Sequence, residues 1–175
     1  GSKYVSKQPD ESGICHYSDY ENETWKILYE RQMDIIRDRA CDEFIEGIKT
    51  LKMSPDRIPQ IPEVSAAMQK ATGWSVVPVS ALISSKKFFT LLANRKFPAA
   101  TFIRTREELD YLQEPDIFHE IFGHCPLLAQ PEYAKFVEAY GKLSLEVTPK
   151  EQAKLLRLFW MTIEFGLLQT PKGLR

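Results

Sequence analysis

The chain has 175 residues, 43% hydrophobic and 27% charged, which is the composition of one ordinary soluble globular domain. Its 23 basic and 24 acidic side chains leave a net charge of −1, so no broad field recruits nucleic acid or an anionic membrane. The longest strongly apolar run, Leu158 to Leu168, carries Glu164 and is too short to span a bilayer.

Gly1-Ser2 reads as a cloning scar and residues 3–22 as a polar, extended arm. A single domain is expected over residues 23–175. From Glu23 to Leu51 apolar residues recur at helical spacing, which predicts one bent helix or two consecutive ones. Pro55, Pro59 and Pro62 force a loop, and Pro62 starts a short helix ending near Gly73. Trp74–Val79 reads as a short strand, Ser84 caps a helix running to about Arg95, and Ala99–Arg104 is a second strand. Helices then follow over Asp116 to about Leu128 and Pro131–Leu145. A last one opens on the Thr148-Pro149-Lys150-Glu151 capping box and runs through Phe165. The class is mostly α with minor β, without internal repeats.

Three cysteines, Cys15, Cys41 and Cys125, form no CxxC pair, which fits a reducing cytoplasm better than a disulfide framework. Histidine is the sharper signal. Of only three, His119 and His124 fall within six residues, in PDIFHEIFGH. On an ideal helix positions five apart sit ~140° apart, so the pair meets one metal only if the turn widens to an i→i+5 turn or unwinds at Gly123. The alternative is a pair of ordinary, partly buried histidines. Glu164 is the candidate third ligand, the one charge in LFWMTIEFGLL, where an uncompensated carboxylate is costly to bury. Its alternative is a surface glutamate at a helix's polar edge. Two histidines and a carboxylate match the facial triad of non-haem iron oxygenases, but carboxylates also ligate zinc in hydrolases, so ligand type alone leaves both metals open.

PDIFHEIFGHCPLL and FWMTIEFGLL, with 40 residues between His124 and Glu164, resemble the pterin-dependent aromatic amino acid hydroxylases, bacterial phenylalanine 4-hydroxylases above all. The resemblance extends through ETWKILYERQMDIIRDRACDEF, IPQIPEVSAAMQKATGW and GWSVVPVSALISSKKFF, and covers roughly residues 23 to 170. It implies that His119, His124 and Glu164 ligate Fe(II), while Glu120 faces the pterin side of the iron. Ile83, Ser85 and Phe88 fall where the family cradles the tetrahydropterin (tetrahydrobiopterin or a relative), with Phe88 stacking on its ring. Arg104 is implied to hold the amino acid's carboxylate. Asp116 is implied to orient that arginine or a liganding histidine, and Trp160 and Phe165 to wall the aromatic pocket.

The activity so implied is iron- and tetrahydropterin-dependent hydroxylation of L-phenylalanine to L-tyrosine with O2, a step of phenylalanine catabolism in the cytoplasm. Tryptophan or tyrosine hydroxylation within the family is the nearest alternative, and Trp160 argues mildly against an indole substrate. A zinc hydrolase with Glu120 as general base is the more distant one. Three positions depart from the animal enzymes: Ala81 replaces a pterin-loop glycine, Phe159 a tyrosine and Leu112 a threonine. The family's catalytic domain is on the order of a hundred residues longer, so a C-terminally incomplete catalytic domain is expected. Oligomeric state, and any task for His16, are not read from the sequence.

Overall fold

The computed structural model describes residues 2–175, so Gly1 of the presumed scar lies outside the described residues. Helix α1 spans Asp19–Ile35 and starts earlier than the apolar spacing predicts. The cause is a capping box: the Ser18 hydroxyl accepts the Glu21 N–H, and the Glu21 carboxylate accepts the Ser18 N–H. The first four helical residues therefore lie inside what the sequence reads as arm. After α1 the chain turns through Asp38 in the left-handed region (φ 57°) and enters α2, Asp42–Thr50, which decides for two helices over one bent one.

Helix α3 (Ile61–Thr72) ends on Gly73 at φ 77°, a left-handed cap that glycine adopts without strain. Strand β1 (Ser75–Val79), helix α4 (Ser85–Ala93) and strand β2 (Lys96–Ala100) form a βαβ unit, with the strands parallel and Val77 opposite Pro98. Prolines fit here because each strand of a two-stranded sheet has a free edge. The expected strand over Ala99–Arg104 is displaced toward the N-terminus. Beyond Ala100 the backbone leaves the sheet: the Thr101 N–H donates to Ser6 Oγ, and the Phe102 carbonyl accepts the Ile117 N–H at 2.8 Å.

A 3₁₀ turn follows at Arg106–Glu108, then a π-helical turn at Phe118–His124 that runs into α5, Cys125–Leu128. Helices α6 (Pro131–Glu146) and α7 (Pro149–Phe159) come next. The last predicted helix does not continue regularly to Phe165. It widens into a second π-helical turn at Trp160–Glu164, followed by a small unpredicted hairpin of β3 (Gln169–Thr170) and β4 (Gly173–Leu174). Lys172 in that hairpin reaches Asp42 of α2 at 2.5 Å.

Trp25, Met68, Trp74, Phe89 and Leu92 are buried at the centre, where α1, α3, α4, the sheet and the first π-helical turn meet. Two approaches exclude side chains: a Cβ on Gly47 of α2 would lie 2.0 Å from the Pro126 carbonyl oxygen, and one on Gly141 of α6 would lie 2.5 Å from the Ala93 nitrogen. The arm before α1 is extended and docked. Tyr4 stacks on Phe102 with ring centres 4.8 Å apart, Thr101 Oγ1 donates to the Lys7 carbonyl, and the Gln60 side chain bonds both backbone groups of Cys15. Among the described residues no helix is long and apolar enough to cross a membrane.

Candidate metal centre

Asp116 is fully buried (0% exposed) and accepts four donors. The Arg104 N–H and Nε reach Oδ2 at 2.9 Å, and Arg104 Nη2 and the His119 N–H reach Oδ1 at 3.0 Å. A carboxylate without water needs such compensation. One buried group thus ties residue 104 to the first turn of the histidine segment.

In the π-helical turn Phe118–His124, the i→i+5 repeat brings residues five apart together. Phe118 and Phe122 stack at 4.8 Å and wedge against α1, with Trp25 edge-on to Phe118 and Tyr29 edge-on to Phe122. His119 and His124 emerge together, their Nε2 atoms 2.9 Å apart. Phe97 of β2 lies 5.2 Å from the His124 ring, a neighbour that no sequence signal announces. Gly123 is not where the chain unwinds: its φ is not positive, and a Cβ there meets nothing within 4 Å. The widened turn itself makes the pair.

The second π-helical turn brings Glu164 to the same point. Its Oε1 lies 3.0 Å from His124 Nε2 and its Oε2 3.4 Å from His119 Nε2. Donors ~2.1 Å from one ion at right angles to each other sit ~3.0 Å apart. The observed separations of 2.9, 3.0 and 3.4 Å, the last two to different oxygens of Glu164, bring all three side chains within reach of a single metal ion.

Burial alone would push the Glu164 carboxyl up, but hydrogen bonds from both histidines outweigh it and hold the group well below the usual carboxylate range. Burial disfavours the His119 imidazolium, yet Glu164, Glu120 and Asp116 together raise its pKa. Glu120 behaves in the opposite way to Glu164: burial, reinforced by Glu164 and Asp116 against the opposing pull of His119, pushes it up to about 8.

His119, Glu120, His124 and Glu164 line a cavity of about 210 Å³ together with Ile83 and Phe88, two of the three residues expected around a pterin. Phe88 packs edge-on against Phe159 at 5.5 Å. Ser85 does not line this cavity, and its hydroxyl instead donates to Gln152 at 3.4 Å. On the other side of His119, a second cavity of about 370 Å³ is lined by Arg104, Arg31, Gln32 and Gly123. Two larger hollows of about 850 and 840 Å³ flank α2 and carry none of these groups. Trp160 and Phe165 lie 6.1 Å apart but are 59% and 65% exposed and line neither cavity. The described residues thus bring together the three candidate ligands, Glu120, Ile83, Phe88, Arg104 and Asp116, and leave the two aromatic wall residues open to solvent.

Known proteins match along nearly the whole chain. A family model described as biopterin-dependent aromatic amino acid hydroxylase covers residues 3–175. A phenylalanine-4-hydroxylase of Pseudomonas aeruginosa is 53% identical over 174 residues, 99% of this chain and 66% of that protein. The apo structure of the cold-active phenylalanine hydroxylase of Colwellia psychrerythraea superimposes with a TM-score of 0.95 at 57% identity, over 98% of this chain and 66% of that one. The Chromobacterium violaceum phenylalanine hydroxylase, solved with bound iron(III) and 7,8-dihydrobiopterin, gives 0.90 at 44% identity, over 97% and 61%. The chain thus spans just under two thirds of the length of these relatives.

Proposed function

The chain belongs to the biopterin-dependent aromatic amino acid hydroxylase family, and from that premise we propose that it is the iron-binding part of a phenylalanine 4-monooxygenase, acting on L-phenylalanine with O2 and a tetrahydropterin. The observation that carries this reading is the convergence of His119 Nε2 and His124 Nε2, 2.9 Å apart, on the Glu164 carboxylate, whose two oxygens lie 3.4 and 3.0 Å from them. Fe(II) held there, with a tetrahydropterin beside it, would supply the oxygen activation: one oxygen atom enters the ring, and two pterin electrons reduce the other.

The rest of the chemistry belongs to this chain's own side chains. Glu164 would bring the negative charge that a divalent cation needs, and the two imidazoles would hold it through the Nε2 atoms that face Glu164. Phe88 and Ile83 give the 210 Å³ cavity apolar walls, suited to a flat heterocycle and to keeping water from it. Glu120, a carboxyl on the wall of the same cavity, is placed to hydrogen-bond a ring nitrogen or carbonyl bound there. Arg104, with its Nε and Nη2 committed to Asp116, retains N–H groups to hold an amino acid carboxylate. Trp160 and Phe165 are the remaining candidates to wall the aromatic ring. Three free thiols suit a reducing cytoplasm as the working compartment.

The experiment is anaerobic Fe(II) loading followed by addition of O2, a tetrahydropterin and L-phenylalanine, with tyrosine quantified by chromatography. Wild type is expected to bind one equivalent of Fe(II) and form tyrosine, and His119→Ala to do neither. Wild-type protein that binds no Fe(II) would overturn the assignment. The same assay with L-tryptophan and L-tyrosine decides among the family's substrates.

A further inference from the structure

The guanidinium of Arg104 has five N–H groups, and the structure shows where three of them go. Nε and Nη2 make a side-on fork to Asp116, and Nη1 donates to the Leu109 carbonyl at 3.5 Å. What remains is one N–H on each terminal nitrogen, a pair of donors that can serve the oxygens of a carboxylate. The direction of that pair is set by the two anchors. Asp116 is buried and fixed by four bonds, whereas the Leu109 carbonyl sits on a surface turn just after Arg106–Glu108.

That carbonyl is itself held by a second arginine. Arg31 of α1 donates from Nη2 to the Leu109 oxygen at 2.6 Å and from Nη1 to Asp110 Oδ1 at 2.7 Å. Both guanidinium groups therefore converge on one oxygen, and both line the 370 Å³ cavity beside His119. Helix α1 holds the same turn further back: the Arg106 N–H donates to the Tyr20 hydroxyl, and the Arg106 guanidinium pairs with Glu23 over the Tyr20 ring. Tyr20 and Arg31 are eleven residues apart, about three helical turns, so they share one face of α1 and clamp the turn at two points.

We propose that Arg31 is a positioning residue for substrate binding. Through the Leu109 carbonyl it fixes the third anchor of Arg104 and aims that residue's remaining N–H groups at the amino acid's carboxylate. The inference rests on the carboxylate-binding reading of Arg104 and extends it to a residue on a different element. Asp110 is not needed for it: its side chain is 94% exposed, and an ion pair so exposed contributes little.

The test is calorimetric binding of two ligands to the purified chain: L-phenylalanine, and phenethylamine, which lacks the carboxylate. Wild type is expected to prefer L-phenylalanine. Arg31→Met is expected to lose about fivefold in affinity for L-phenylalanine, the size of one net hydrogen bond, with phenethylamine unchanged. Arg31→Lys, which can reach only one of the two oxygens, falls between, and Asp110→Ala binds as wild type. In a hydroxylation assay the Arg31→Met loss should sit in KM and not in kcat. Wild-type affinity for L-phenylalanine in Arg31→Met, or an equal loss for both ligands, overturns the positioning role and leaves the proposed activity standing. A wild type that does not distinguish the two ligands removes the carboxylate role of Arg104, and this inference with it.

Discussion

At the scale of single residues, the candidate site is organised around a carboxylate that lines neither of its cavities. Asp116 takes four hydrogen bonds in a place without solvent, two of them from a charged guanidinium. Asp116→Asn keeps the shape but replaces an acceptor by an N–H₂ facing donors. Loss of one partner of a buried pair typically costs about 3 kcal/mol or more. Urea unfolding of Asp116→Asn should show a loss of that order, together with weaker Fe(II) binding, because the His119 N–H loses its anchor. A change below about 1 kcal/mol would mean that water compensates Arg104. The candidate ligands were legible in sequence because their letters are rare and clustered: two of three histidines in six residues, and one charge in an apolar run. Leu109 was not legible, since its part is played by a backbone carbonyl that every residue type carries. Nor was Arg31, whose spacing on α1 resembles that of any solvent-facing arginine.

At the scale of elements, both ligand-bearing segments are π-helical turns joined to ordinary helices. The first was foreseeable as a condition: five-residue spacing brings two imidazoles to one metal only if the turn widens. The second was not, because one glutamate has no partner in its own segment whose spacing could reveal it. Propensity and capping rules located the helices at Ser84 and Thr148, where the cap was read, and missed the start of α1, where the Ser18–Glu21 box was not. They misplaced β2, where the deciding contacts come from Ser6 and Ile117, distant in sequence. Glycine separates the two kinds of constraint. Gly47 faces the Pro126 carbonyl with no room for a Cβ, so Gly47→Ala must push α2 away from α5, at a cost of about 1–3 kcal/mol. Gly123 faces open space, so Gly123→Ala should leave the melting temperature undiminished and Fe(II) binding intact. Thermal melts of the two variants side by side check this. A larger loss for Gly123→Ala would show that the π-helical turn itself requires glycine.

At the scale of the whole molecule, the docked arm links the first residues of the chain to the backbone that carries Arg104. Glu108, on the turn that α1 clamps, accepts a hydrogen bond from the Tyr4 hydroxyl at 2.7 Å and pairs with Lys3 at 2.9 Å. The Tyr4 bond first, then Lys3, hold its carboxyl at about 2, below the ordinary glutamate value. A group whose pKa is lowered by folding stabilises the docked state at pH values above its unfolded pKa, near 4.5, and that contribution fades as pH falls through about 2. Arm docking should therefore be steady from neutral pH down to about 5 and weaken between there and pH 2. Because Glu108 lies on a peripheral turn and contacts the arm, the effect is local release and not global unfolding. Hydrogen exchange over residues 3–8 and 101–108, read against pH, should show protection falling in that window. In Glu108→Gln, protection should be lower already at pH 7 and nearly flat across the window, with the core helices unchanged. Equal pH profiles in the two proteins would place the arm's hold elsewhere, on the Tyr4–Phe102 stack and the bonds of Ser6 and Lys7 to Thr101.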